Sequence, residues 1–160
     1  MSVEAFIAEY KRETTPLRVQ PIHSYLAKGR RLAPGGKAEI ALRAQESDVY
    51  IDWIGSLEGA KGQGSAALTW LCGLADRHNV TLKLKVNGGC TSIGVLREMN
   101  GNENQPVFTP RGLRAWYRRH GFKTVGRKRG IEFEFIYYDV YMSRAPRRKN
   151  KMPQQKAQAA

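Results

Sequence analysis

With 160 residues, 41% of them hydrophobic, the chain has room for one domain with a proper core. No apolar run approaches the ~18 residues that span a bilayer, two cysteines cannot make a disulfide framework, and His23, His78 and His120 are too scattered to suggest a metal set. The formal charge of +13 implies acidic or phosphorylated partners, and an N-terminus with Glu4 and Glu9 in place of a basic and apolar leader implies a cytoplasmic protein without membrane contact.

In chain order, Val3, Phe6, Ile7 and Tyr10 give an amphipathic first helix, followed by an irregular stretch through Pro16, Pro21 and "KGRRLAPGGK" that the pattern leaves unassigned. "KAEIALRA" at 37–44 reads as a strand, and so does "VYIDWIGSL" at 49–57, where residue types alternate and β-branched and aromatic side chains are frequent. The glycine-rich "EGAKGQGSAAL" at 58–68 then leads into a helix whose stripe is Leu68, Leu71, Cys72 and Ala75 and which ends near His78 and Asn79. Cys72 is expected in the core; Cys90, in a loop, carries no reading. "TLKLKV" is the next strand. The 23 residues from Asn87 to Thr109 form a long connection, with an optional short helix around Ile93 to Met99. "TPRGLRAWYRRHGF" is a helix with Thr109 as N-cap, Pro110 in its first turn and Gly121 as its stop. "FEFIYYDVYMSR" at 133–144 is a long terminal strand, with Phe133, Phe135, Tyr137, Asp139 and Tyr141 on one side. Residues 145–160 hold five basic residues and no acid, the composition of a disordered tail.

The glycine loop joins strand to helix, and the unpaired N–H groups of a helix N-terminus favour an anion there. A Walker A loop would need Lys after Gly64, where Ser65 and Ala66 stand. A dinucleotide fingerprint is met by Gly62, Gly64 and Ala67, but the strand ending at Val86 has no acid beside it. Residues 59–64 resemble the acyl-CoA loop of the GCN5-related N-acetyltransferases (GNAT superfamily), [QR]-x-x-G-x-[GA], with Gly62 and Gly64 in place and Gly59 where that family has Gln or Arg. The family's second signature, Y-x-x-x-G-F, is matched by Tyr117, Gly121 and Phe122, and the resemblance extends over 37–144.

The resemblance implies a single GNAT-like α/β domain over residues 1–144, with a mixed, mostly antiparallel twisted sheet flanked by helices. It implies direct transfer of acetyl from acetyl-CoA to an amine of a protein, an aminoacyl-tRNA or a small molecule. Backbone N–H groups of Gly59, Lys61, Gly62, Gln63, Gly64 and Ser65 would hold the pyrophosphate, with charge added by Lys61, and the backbone near Ile54 would bind the pantetheine amide. Tyr117 would protonate the departing thiolate. Asp52 is the first candidate for the general base, with Glu58 the other, and a salt-bridged strand residue is the competing reading of Asp52. A pantetheine-contacting Asn is open among Asn87, Asn100, Asn102 and Asn104. The basic residues around the second signature, from Arg111 to Arg129, and the tail make nucleic acid a candidate partner; a non-catalytic nucleic-acid-binding protein with this fold is the alternative.

Overall fold

Ser2 starts the first helix. In the computed structural model, which describes residues 2–17, 29–57, 61–86, 109–132 and 135–147, its hydroxyl accepts the Ala5 N–H and α1 runs over Val3–Glu13. Val3, Phe6 and Tyr10 are the buried stripe, with Ile7 packed at its margin. The helix's last carbonyls would be left without donors, and Arg31 supplies them: its guanidinium donates to Lys11 O at 2.9 Å, to Thr14 O at 2.8 Å and to Thr14 Oγ1 at 2.6 Å. Arg31 comes from the stretch that the sequence pattern left unassigned. That stretch contributes two short strands, β1 (Thr15–Pro16) and β2 (Arg31–Leu32).

The sheet continues with β3 (Ala38–Ala44), β4 (Asp48–Ser56), β5 (Thr81–Val86), β6 (Lys123–Glu132) and β7 (Phe135–Arg144), in the spatial order β1-β2-β3-β4-β5-β7-β6. Every pairing is antiparallel except β4 with β5. Helix α2 (Gln63–His78) links those two parallel strands, and α3 (Pro110–Arg119) precedes β6. The architecture is an α/β fold with a mixed, mostly antiparallel sheet flanked by helices, as the resemblance implied. The terminal strand is the return arm of a long hairpin: Val140, Met142 and Arg144 on one side are buried and Asp139 and Tyr141 on the other are half-buried, while Phe133 and the side chains of Phe135 and Tyr137 lie outside the described residues. The connection over 87–108, with its Asn candidates, the optional helix and Cys90, lies outside the described residues.

One cluster of apolar side chains fills the core. Alternate strand residues Val49, Ile51, Leu82, Leu84, Val86, Val140 and Met142 meet Phe6 of α1, Leu68, Leu71 and Leu74 of α2, and Trp116 and Tyr117 of α3. Cys72 is buried as expected, and desolvation pushes its thiol up to about 11, which leaves it inert at neutral pH. The opposite faces of the strands carry ion pairs: Lys83 with Asp48, Lys85 with Asp139 at 3.3 Å and Arg43 with Asp52 at 3.1 Å. No described helix is long and apolar enough to cross a membrane.

Arg144 ties three elements together. Its buried guanidinium makes two 2.8 Å bonds to the Asp76 carboxylate on α2 and donates to His120 O, after α3, at 3.1 Å. Asp76 also accepts the Arg147 N–H at 2.7 Å, so the chain stays attached for three residues beyond β7. Residues 148–160, the rest of the basic tail, lie outside the described residues. Between α1 and α2, Glu9 accepts from Arg77 at 2.8 Å and lies 2.5 Å from His78 Nε2.

Asp76→Ala leaves the Arg144 guanidinium, 4% exposed, without its carboxylate partner, and should cost about 3 kcal/mol, a fall in Tm of about 6–12 °C for a chain of this size. Arg12→Ala, at a side chain 70% exposed, should shift the circular-dichroism melt by no more than about 1 °C. The acid limb of stability follows from the same contacts. Glu9 is held at about 2, by His78 first and Arg77 next, and Asp76 is held low by Arg144 and the Arg147 N–H against the opposing effect of its own burial. Because both folded-state values lie below the unfolded ones, this stabilisation is complete above the ordinary carboxylate range and is lost as pH falls through it toward 2. A denaturant midpoint that stays constant over that interval would contradict the assignment.

Candidate active site

The parallel ladder between β4 and β5 is short. Asp48, Val49 and Tyr50 lie opposite Thr81, Leu82 and Lys83, and there the pairing ends. Beyond it β4 runs on to Ser56 against β3, and β5 runs on to Val86 against β7. The two strands therefore splay apart, and the β5-side edge of β4 over residues 51–56 presents backbone groups of the kind that an extended amide ligand pairs with. A bulge marks the start of this stretch: Leu42 lies opposite Ile51 but Ala41 opposite Trp53, so Asp52 is the extra residue. Ile54, half-buried against the core, lies within the splayed length.

At the end of β4 the chain turns into α2 through the glycines. Gly62 is the N-cap, with φ +80°, a left-handed value that glycine takes without strain, and it brings no side chain to cap the helix. Lys61 is exposed beside it, Gln63 and Ser65 are half-buried, and the loop residues Glu58 and Gly59 lie outside the described residues. Gly64 has a packing reason to be glycine. Its N–H donates to Ser56 Oγ at 2.8 Å, and a Cβ there would sit 3.2 Å from that oxygen and 3.8 Å from the Trp116 ring. Ser56 thus takes one of the first-turn donors of α2, a contact that the spacing of the glycines did not suggest.

Helix α3 is built as its sequence implied. Thr109 Oγ1 accepts the Gly112 N–H at 3.1 Å, Pro110 occupies the first turn, and Gly121, at φ +89°, ends the helix. Trp116 joins the two signatures: its Nε1 donates to Ser65 Oγ at 2.8 Å, which places α3 against the first turn of α2. Tyr117, next to it, is buried, its ring centroid 4.8 Å from that of Trp116 and 5.4 Å from that of Phe122. Desolvation raises its hydroxyl well above the usual phenol value, so the group keeps its proton at any physiological pH. Burial and then the charges of Arg119 and Arg144 lower His120, whose ring lies 5.5 Å from Trp116 and stays neutral at pH 7. Neither Ser56 nor Trp116 was a sequence candidate. A serine ending a strand and a tryptophan beside the signature tyrosine have no pattern of their own.

Asp52 is exposed and bound to Arg43, whose Nε and Nη2 lie 3.2 and 3.1 Å from its two oxygens. Arg43 also stacks over Tyr50 at 5.0 Å. The geometry agrees with the salt-bridged reading of this residue; its position at the bulge puts it where the splay begins.

No protein-family model and no curated protein sequence matches the chain. Among solved structures it is similar to the ribosomal-protein-S18-alanine N-acetyltransferase of Escherichia coli, at 14% identity over 96% of both chains with a TM-score of 0.49. It is also similar to the aminoglycoside 6'-N-acetyltransferase of Enterococcus faecium, at 17% identity over 71% of this chain and 69% of that one with a TM-score of 0.46. A third is the GNAT superfamily phosphinothricin acetyltransferase of Sinorhizobium meliloti in complex with acetyl-CoA, at 16% identity over 79% and 65% with a TM-score of 0.46. At overlaps and identities this low, activity has to be argued from the site itself.

The contact between Ser56 and Gly64 is open to a double-mutant cycle. Ser56→Ala removes the acceptor of a helix-start N–H and should cost about 1 kcal/mol. Gly64→Ala places a methyl group against Ser56 Oγ, so it should be more destabilising in the wild-type background than in Ser56→Ala. Strict additivity in urea unfolding would mean that another neighbour fixes glycine at this position.

Proposed function

We infer that the chain is an N-acetyltransferase that takes its acetyl group from acetyl-CoA and passes it to an amine. The observation that carries this is the splay of β4 from β5 with a glycine-started helix at its mouth. An extended amide chain lying along residues 51–56 would meet backbone groups near Ile54, and a pyrophosphate at its far end would meet the first turn of α2 and the Lys61 ammonium. Gly59 and Gly62 add no bulk, and the backbones of Gln63, Gly64 and Ser65 complete the turn, with the Gly64 N–H shared with Ser56.

Acetyl-CoA supplies an activated thioester. The protein has to orient it, accept a proton from the amine and return one to sulfur. Tyr117 is the proton donor in this reading. Its burial keeps the hydroxyl protonated, and the same desolvation would raise the basicity of a thiolate beside it, so donor and acceptor stay matched. For the base, Asp52 would first have to release Arg43. Glu58 and a water relay are the other routes for that proton. The acceptor is an amine on a protein, an aminoacyl-tRNA or a small molecule.

The engagement of Asp52 by Arg43 and the Gly59 departure favour a second reading, a nucleic-acid-binding protein that keeps the fold without the chemistry. Titration calorimetry separates the two. Acetyl-CoA should bind the folded protein with micromolar affinity, and the absence of binding would remove the acetyltransferase reading. Tyr117→Phe deletes one hydroxyl and should lower turnover by about 10²–10⁴-fold while leaving acetyl-CoA affinity within about twofold. Turnover near wild type with a saturating amine would make Tyr117 a packing residue only.

A further inference from the structure

The β6–β7 hairpin outruns the core. Cross-strand partners share a face of the sheet and alternate residues return to it, so Met142, Val140, Tyr138 and Ile136 of β7 lie on one side. The first two are 0% and 3% exposed, while Tyr138 and Ile136 are each 53% exposed. Burial therefore stops between Val140 and Tyr138. Across the ladder on the same face, Arg127 stands opposite Val140, Arg129 opposite Tyr138, and Ile131, 69% exposed, opposite Ile136. Both arginines are exposed. The nearest described carboxylate of the hairpin, Asp139, is on the other face and paired with Lys85.

We propose that this outer half of the hairpin is a stacking platform for single-stranded nucleic acid, with a base on Tyr138 and the flanking phosphates on Arg127 and Arg129. Charge complementarity selects the occupant. A second copy of the chain, docked through the same face about a two-fold axis, would offer the arginines no carboxylate among the described residues of that face. A duplex would satisfy the arginines but hide its bases from the ring and the isoleucines. A single strand satisfies both, because each base has a π-face and an apolar surface while its backbone follows the positive charge. This gives the nucleic-acid reading a surface and does not depend on acetyl transfer.

Fluorescence anisotropy of the full chain with a labelled 12-nucleotide RNA of mixed sequence, over a salt series, tests it. Tyr138→Ala should weaken binding about 5- to 100-fold, while Tyr138→Phe, which keeps the ring, should bind like wild type. Arg127→Ala with Arg129→Ala should flatten the dependence of log affinity on log salt by about 1.4, two single-strand phosphate contacts. Acetyl-CoA titrations of these variants should match the wild type, which keeps a failure here distinct from a failure of the acetyltransferase reading. The proposal falls if the RNA does not bind at low salt, or if Tyr138→Ala binds as tightly as wild type. It falls also if sedimentation shows a dimer that Tyr138→Ala dissociates.

Discussion

The backbone ladder between β4 and β5 is only three residue pairs long, and the candidate active site exists because it stops there. In a sheet otherwise joined by antiparallel pairs, this one parallel contact is the one that needs a crossover connection, and α2 supplies it. Each strand, once released, keeps its other neighbour: β4 stays with β3 and β5 with β7. The sheet can open along this seam without leaving either strand unsupported. The bulge at Asp52 bends β4 where the partners part, and a bulge increases local twist, so the divergence is written into the strand itself.

What keeps the seam from unravelling is a set of contacts at its two ends. At the mouth, Ser56, Gly64, Ser65 and Trp116 join the end of β4, the start of α2 and the face of α3 through two hydrogen bonds and one close approach. At the closed end, the Arg144–Asp76 pair binds the last residue of β7 to the last turn of α2 and to the carbonyl that follows α3. Helix α2 is therefore anchored at both termini by side chains from other elements. A helix fixed in this way presents its N-terminus in a set direction, as a site made of backbone N–H groups requires.

Part of the regular structure was legible in the sequence, whereas β1, β2 and β6 were assigned no range. The stripe of α1, the cap and stop of α3 at Thr109 and Gly121, and the strands at 38–44 and 81–86 all follow from local chemistry and appear within a residue of the expected bounds. The splay was not legible, because it is a statement about which strands fail to pair, and pairing is non-local. The same holds for Ser56 and Trp116, whose roles depend on residues 8 and 51 positions away. For the terminal strand, the sequence placed Asp139 and Tyr141 on one side, and it is the other side, with Val140 and Met142, that the register with β5 buries. Residues offered for their backbone groups, Ile54 and the loop glycines, leave weak signals by nature, since many side chains permit the same backbone.

The charge of +13 combines two populations that composition cannot separate. Some arginines work inward. Arg31 caps α1, Arg30 pairs with Glu39 at 2.9 Å and stacks on Trp53 at 4.1 Å, Arg77 bridges to Glu9 and Arg144 to Asp76. The charges of Arg30, Arg77 and Arg144 are matched by carboxylates and project little field. The exposed ones, Arg111, Arg118 and Arg119 on α3 and Arg127, Lys128 and Arg129 on β6, fall in the part of the chain that follows the splay, as does the basic tail. Residues 1–80 carry 10 Lys and Arg against 9 Asp and Glu, a net +1, and residues 81–160 carry 17 against 5, a net +12, so the excess is concentrated on this C-terminal half. A polyanion approaching the protein would be steered there by the long-range field, whatever contacts it then makes.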